Sequence, residues 1–211
     1  MIVFNLSQAL TKVLSSHLKP VKNILPSLHW DLELITIGLD QCVIACERNT
    51  QYIMLFCAMS REQFLHFPEL FQDRFWREVM ALSPQISQRD KNAFIRYLLT
   101  ASDDQYYQLN PNPLEEGKLH TIIENLEYRT IAEKVALPAD GKAALQYTLP
   151  INGRKRKNSD SSPLENFRDI CLSMAEEVRI HEQHLKDIAS PITGREENIV
   201  KVDFNKPRNK R

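Results

Sequence analysis

DLELITIGLDQCVIACERNTQYIMLFCAM, Asp31 to Met59, is the stretch whose reading decides the fold. It divides into three runs, Leu32 to Ile37, Cys42 to Cys46 and Gln51 to Cys57, rich in Ile, Val, Leu, Cys, Tyr and Phe and close to the usual strand length of ~5–6 residues. Gly38 to Gln41 supplies a Gly and an Asp for the first reversal. Arg48-Asn49-Thr50 supplies an Asn that tolerates positive φ for the second. A strand with one wet face alternates apolar and polar residues, but here both parities are apolar. Cys42, Ile44 and Cys46 lie on one face and Val43 and Ala45 on the other, and Tyr52 to Cys57 repeats the pattern. The expectation is an antiparallel meander that must be covered on both faces, by helices on both or by helices on one and another chain on the other.

Before the meander, Ile2-Val3-Phe4 reads as a short strand and Ser7 to His17 as a helix with Leu10, Val13 and Leu14 on its apolar stripe. Lys19 to Leu28 reads as a proline-stiffened connector and Trp30 as a rim residue capping the core. After the meander, Ser60-Arg-Glu-Gln63 is a capping box. The helix that follows takes Phe71, Phe75, Val79 and Leu82 inward, with Arg74, Arg77 and Glu78 facing out. A second cap at Ser87 to Asp90 opens a helix with Phe94 and Leu98 inward.

The N-terminal strand, Trp30, the strands LELITI and CVIACE, the segment TQYIMLF and the following FLHFPELFQDRF resemble a family of small bacterial domains of unknown function. The resemblance covers the first half of the chain. It implies an α+β fold and no assigned activity, and it carries over no catalytic residue. The fold class expected is therefore α+β, with a small, mostly antiparallel sheet centred on residues 31–59, covered by helices, and a largely helical C-terminal region.

Residues 1–100 are expected to form this core domain, and 101–117, with Asp103-Asp104, Asn110-Pro-Asn-Pro113 and Glu115-Glu116, an acidic linker. Residues 118–190 read as a helical region with one edge strand at Ala143 to Leu149 and a basic loop at 154–157. In it a third capping box, Ser162 to Glu165, starts a long helix whose stripe of Phe167, Ile170, Cys171, Met174 and Val178 would cover the second face of the meander. Residues 191–211 read as a flexible basic tail.

Composition narrows the function classes. The chain has 211 residues, 43% of them hydrophobic, with 27 Lys plus Arg against 27 Asp plus Glu, so no global field steers it to nucleic acid. No apolar run approaches the ~18–20 residues of a membrane span and no secretion signal is legible, so a cytoplasmic protein without membrane attachment is expected. Cys42, Cys46, Cys57 and Cys171 lie in apolar patterns and read as reduced, buried and inert. GxSxG, P-loop and GxGxxG motifs are absent, and five glycines leave little for phosphate-cradling turns, so neither a catalytic residue nor a cofactor is assigned.

Two local features could carry a partner. Arg154, Lys155, Arg156 and Lys157, joined by Lys201, Lys206, Arg208, Lys210 and Arg211 of the tail, could contact nucleic-acid phosphates with steep salt dependence. Glu177, His181 and His184 share a helix face and could hold Zn²⁺ as the basis of a metal-dependent enzyme. Their spacing is not that of HExxH, and His17, His29, His66 and His120 stand isolated. The reading favoured is a non-enzymatic interaction module that docks a protein partner or a second copy, with a nucleic-acid accessory role as the alternative.

Overall fold

The computed structural model describes residues 2–18, 28–110, 116–156 and 159–189. Its centre is a five-stranded sheet in the order β4-β3-β2-β1-β5. The meander forms as expected, with β2 at Leu28–Ile37, β3 at Asp40–Glu47 and β4 at Ile53–Phe56 in antiparallel register, Leu34 opposite Val43 and Ile44 opposite Leu55. Gly38 takes φ +63° at the first reversal, where its lack of Cβ is required. β1, Ile2–Leu6, pairs in parallel with β2 on one side and with β5, Gln105–Leu109, on the other. The fold is α+β, and the sheet is mixed, with two parallel and two antiparallel pairings, rather than mostly antiparallel.

Residues 105–109 lie inside the stretch read as an acidic linker, and they are a strand. Tyr106-Tyr107 favours the extended chain. The flanking polar groups are satisfied, with Gln108 Nε2 donating to Asn5 Oδ1 at 2.8 Å and Gln105 Nε2 to the Pro68 carbonyl at 2.9 Å.

The helices are α1 (Gln8–Val13), α2 (Arg61–Leu65), α3 (Phe67–Leu82), α4 (Gln88–Asp103), α5 (Glu116–Glu127), α6 (Gly141–Asn152) and α7 (Pro163–Ala189). The starts of α2, α4 and α7 are those the Ser caps encode. Ser60 Oγ accepts the Gln63 N–H while Gln63 Oε1 accepts the Ser60 N–H, Ser87 Oγ accepts the Asp90 N–H, and Ser162 Oγ accepts the Glu165 N–H. Residues 143–149, expected as an edge strand, belong to α6. Asp140 Oδ1 caps it by accepting the Ala143 N–H at 2.8 Å. Ala and Leu favour the helix, and Leu145 and Leu149 then meet one core while Tyr147 and Ile151 meet the other.

The sheet is apolar on both faces, as read. On the first face Phe4, Trp30, Tyr52, Met54, Phe56 and Tyr107 are covered by α1, α3, α4 and α7. Trp30 is not a rim residue. It is fully buried, with edge contacts to Phe71, Phe75 and Phe167 at ring-centroid distances of 5.3, 6.0 and 6.0 Å. On the second face Ile35, Ile37, Cys42, Ile44, Cys46, Ile53 and Leu55 are covered by Ile122 and Leu126 of α5 and Tyr147 and Ile151 of α6. The cover of the second face is therefore the chain's own α5 and α6 and not α7. Phe167 of α7 stacks on Tyr52 at 4.2 Å, and Cys171 and Ala175 follow it into the first core. Among the described residues no helix is long and apolar enough to cross a membrane. Residues 19–27 and 190–211, the connector and the basic tail of the sequence reading, lie outside the described residues.

Candidate functional site

Strand β4 is the sheet edge, paired to β3 alone. In an antiparallel ladder alternate residues point their N–H and C=O toward the neighbour and away from it. At Ile53 the outward pair is gripped by Asn152, the last residue of α6: Asn152 Oδ1 accepts the Ile53 N–H and Asn152 Nδ2 donates to the Ile53 carbonyl, both at 2.9 Å. The same alternation turns the N–H and C=O of Leu55 away from β3.

Leu55 is also where a cleft opens. It has a volume of about 610 Å³, within the ~300–1,000 Å³ of small-ligand sites. Leu55, Phe56, Cys57 and Met59 line it from the sheet edge, Leu70, Arg74, Glu78 and Ala81 from α3, and residues 138–142, 144 and 145 from the start of α6 and the turn before it. Most of this lining is apolar, and the charges at the rim balance, Arg77 and Lys142 against Asp73 and Asp140.

An ion pair is built into the α3 wall. Arg74 and Glu78, expected to face solvent, are 7% and 2% exposed. Arg74 Nε donates to Glu78 Oε1 at 2.6 Å, and the Tyr52 hydroxyl donates to Glu78 Oε2 at 2.9 Å. Arg74 Nη2 lies against the same Glu78 oxygen at an angle that makes no hydrogen bond. Burial pushes the Glu78 carboxyl above the usual carboxylate range, opposed by the Arg74 charge and by the bonds from Arg74 and Tyr52. Burial, then the neighbouring Glu78, pushes the Tyr52 hydroxyl up.

Gly141 lets α6 begin against this pair, for a Cβ there would stand 3.1 Å from Arg74 Cδ and 3.3 Å from its Nη1. Both Glu78 oxygens are engaged, so the wall offers a fixed, largely neutralised surface rather than a free base. Apolar walls, a mixed-charge rim and an outward-turned backbone amide suit recognition of a chain segment.

The residues singled out in the sequence stand elsewhere. Glu177 and His181 are exposed on α7 and, with Arg96, Tyr97 and Thr100 of α4, line a shallow groove of about 540 Å³. His184 is exposed one turn further on. Among the described residues no group of three His, Cys, Asp or Glu could hold a metal ion. Arg154 and Lys155 are exposed on the turn after α6 and Arg156 is half-buried. Lys157, Lys201, Lys206, Arg208, Lys210 and Arg211 lie outside the described residues. Sequence reasoning passed over Tyr52, Arg74, Glu78 and Asn152. The one signal available was the four-residue spacing of Arg74 and Glu78 on a helix.

No curated protein matches the chain. Residues 3–110 match the family described as Domain of unknown function (DUF6933). That span runs from β1 to the end of β5, so it holds the complete sheet, α1 to α4 and the Arg74–Glu78 wall of the cleft, while the α6 wall lies beyond it. Matched over half its length, from the first strand to the last, the chain belongs to the DUF6933 family.

Proposed function

We propose that this chain is a non-enzymatic interaction module that takes an extended segment of a protein partner in the cleft beside β4. What supports the reading is the Leu55 backbone, turned away from β3 next to an Ile53 whose own outward groups Asn152 already holds. A peptide laid along this edge hydrogen-bonds to Leu55 as an added strand would, and alternate side chains enter the apolar space between Phe56, Leu70 and Leu145. The balanced rim charges favour a segment of low net charge.

The test is selection of heptapeptides from a displayed library on the full chain, followed by titration of the selected peptides. Binding at one site per chain is expected to fall at least tenfold on N-methylation of alternate peptide amides, and likewise in Ala81→Trp, which fills the cleft from an exposed position of α3. Peptides that bind regardless of both changes, or no selected peptide, would sink the reading. If a second copy is the occupant, the chain sediments as a dimer that Ala81→Trp dissociates.

A nucleic-acid role has the adjacent exposed Arg154 and Lys155 in its favour. Its sign is nucleic acid that copurifies at low salt, leaves at high salt, and is lost when Arg154 to Lys157 are neutralised.

A further inference from the structure

Cys42 and Cys57 read in sequence as inert core thiols, but the sheet register makes them a pair. Val43–Phe56 is the last pair of the ladder, and Cys42 and Cys57 are the next residue on each side, so continuing the register by one step brings them opposite each other. Ile53 has its backbone groups turned to Asn152, so Cys46–Ile53 is a non-hydrogen-bonded pair. Ile44–Leu55 and Cys42–Cys57 then share that character. In such pairs the Cα atoms stand ~4.5 Å apart and the side chains lie close on one face. That separation falls within the ~4.4–6.8 Å range of disulfide-bonded residues. Each thiol is the leading influence on the proton affinity of the other, as two adjacent sulfurs are expected to be. Cys42 is fully buried in the second core, while Cys57 is half-buried and lines the cleft, so Cys57 is the member of the pair nearer to solvent. Ala58, at φ +48°, turns the chain immediately after Cys57.

We propose that Cys42 and Cys57 form a reversible redox site, oxidised by hydrogen peroxide to an intrachain disulfide that pins β3 to β4 at the wall of the cleft. The Cys57 sulfur attacks one peroxide oxygen and the O–O bond breaks. The departing hydroxide takes the thiol proton and leaves as water, and Cys57 is left as a sulfenic acid. The Cys42 sulfur then attacks the Cys57 sulfur. The S–S bond forms, the S–O bond breaks, and the hydroxyl leaves with the Cys42 proton as a second water. Two thiols are oxidised and one peroxide is reduced to two waters. The neighbouring Cys57 holds the Cys42 thiol below its usual range, which suits the second attack. The neighbouring Cys42, then burial, pushes the Cys57 thiol up, which disfavours its thiolate and makes the first attack, on the peroxide, the slow step. Cys46 has Ile53 across the ladder, and Cys171 lies on the other face of the sheet in the aromatic core.

The test uses the reduced full chain, exposed to hydrogen peroxide at neutral pH, then unfolded in N-ethylmaleimide and mapped by mass. Two of the four cysteines are expected to escape alkylation. They should appear as one Cys42–Cys57 crosslinked peptide that dithiothreitol restores. In Cys57→Ser, a half-buried position, peroxide should leave Cys42 alkylatable. Four free thiols after peroxide treatment, a crosslink between chains, or Cys57 oxidised alone with Cys42 still free would each overturn the proposal. The peptide reading of the cleft is independent of this result, since thiol counting needs no ligand.

Discussion

The two faces of the sheet are built differently. The first is aromatic: Phe4, Trp30, Tyr52, Phe56 and Tyr107 rise from the strands to meet Phe67, Phe71, Phe75, Phe94 and Phe167 of the helices. The second is aliphatic and thiol-bearing, with Ile35, Ile37, Ile44, Leu55, Cys42 and Cys46 under α5 and α6. Most of the first cover, α1, α3 and α4, lies inside the family match at residues 3–110, and the whole of the second cover lies after it. The matched half is therefore a complete sheet with one face clothed, and α5 and α6 stand where a partner chain would otherwise have to.

This contrast can be broken most severely by ending the chain after Asn110. The second face, and the part of the first that α7 covers, then meet water, and the fragment is expected to associate and to bind a hydrophobic dye strongly. A soluble, dye-silent, cooperatively unfolding monomer would show that α5, α6 and α7 are all dispensable. Single truncations sharpen the same comparison in the full chain. Phe167→Ala empties a ring from the first face and should cost about 3–5 kcal/mol, whereas Leu126→Ala on the second should cost about 2–3 kcal/mol, both read from urea midpoints at unchanged slope. Equal losses would mean that the two covers are energetically alike.

The smallest effect concerns the buried pair at the cleft. Because the folded-state Glu78 carboxyl sits above its unfolded value, the folded protein binds that proton more tightly. Its contribution to stability is fully present below the unfolded value and is lost as pH rises through the folded one. In the triple variant Tyr52→Phe, Arg74→Met, Glu78→Leu, which leaves no hydroxyl without its acceptor, this slope should vanish. Stability at neutral pH should equal that of the parent or exceed it by about 1 kcal/mol, since apolar replacements of a buried pair remove its desolvation cost. A large loss in urea denaturation would show that the pair is worth more than its burial costs.

What was legible in the sequence was local. The meander announced itself by strand-length apolar runs and turn residues, and α2, α4 and α7 by a Ser with its partner three residues on. The doubly apolar sheet followed from parity alone, and both faces are covered. The errors came where two periods fit one stretch or where burial depends on distant neighbours. Ala143 to Leu149 alternates like a strand yet also sets Leu145 and Leu149 four apart, and the Asp140 cap decides for helix. Five residues of β5 were hidden between acidic and proline-rich flanks. Arg74 and Glu78 look like a solvated helix face until Tyr52 and Gly141 close over them. The Cys42–Cys57 pair exists only once the strand register is known.

Asn152 has a consequence for how the molecule meets its own kind. A carboxamide sets an N–H donor beside a C=O acceptor, as one residue of a neighbouring strand does, so at Ile53 the sheet ends in a counterfeit strand one residue long. An incoming chain cannot zip along the whole of β4 and extend the sheet without limit. It finds the first rung taken and must start at Leu55, in the cleft, where side chains decide whether it stays.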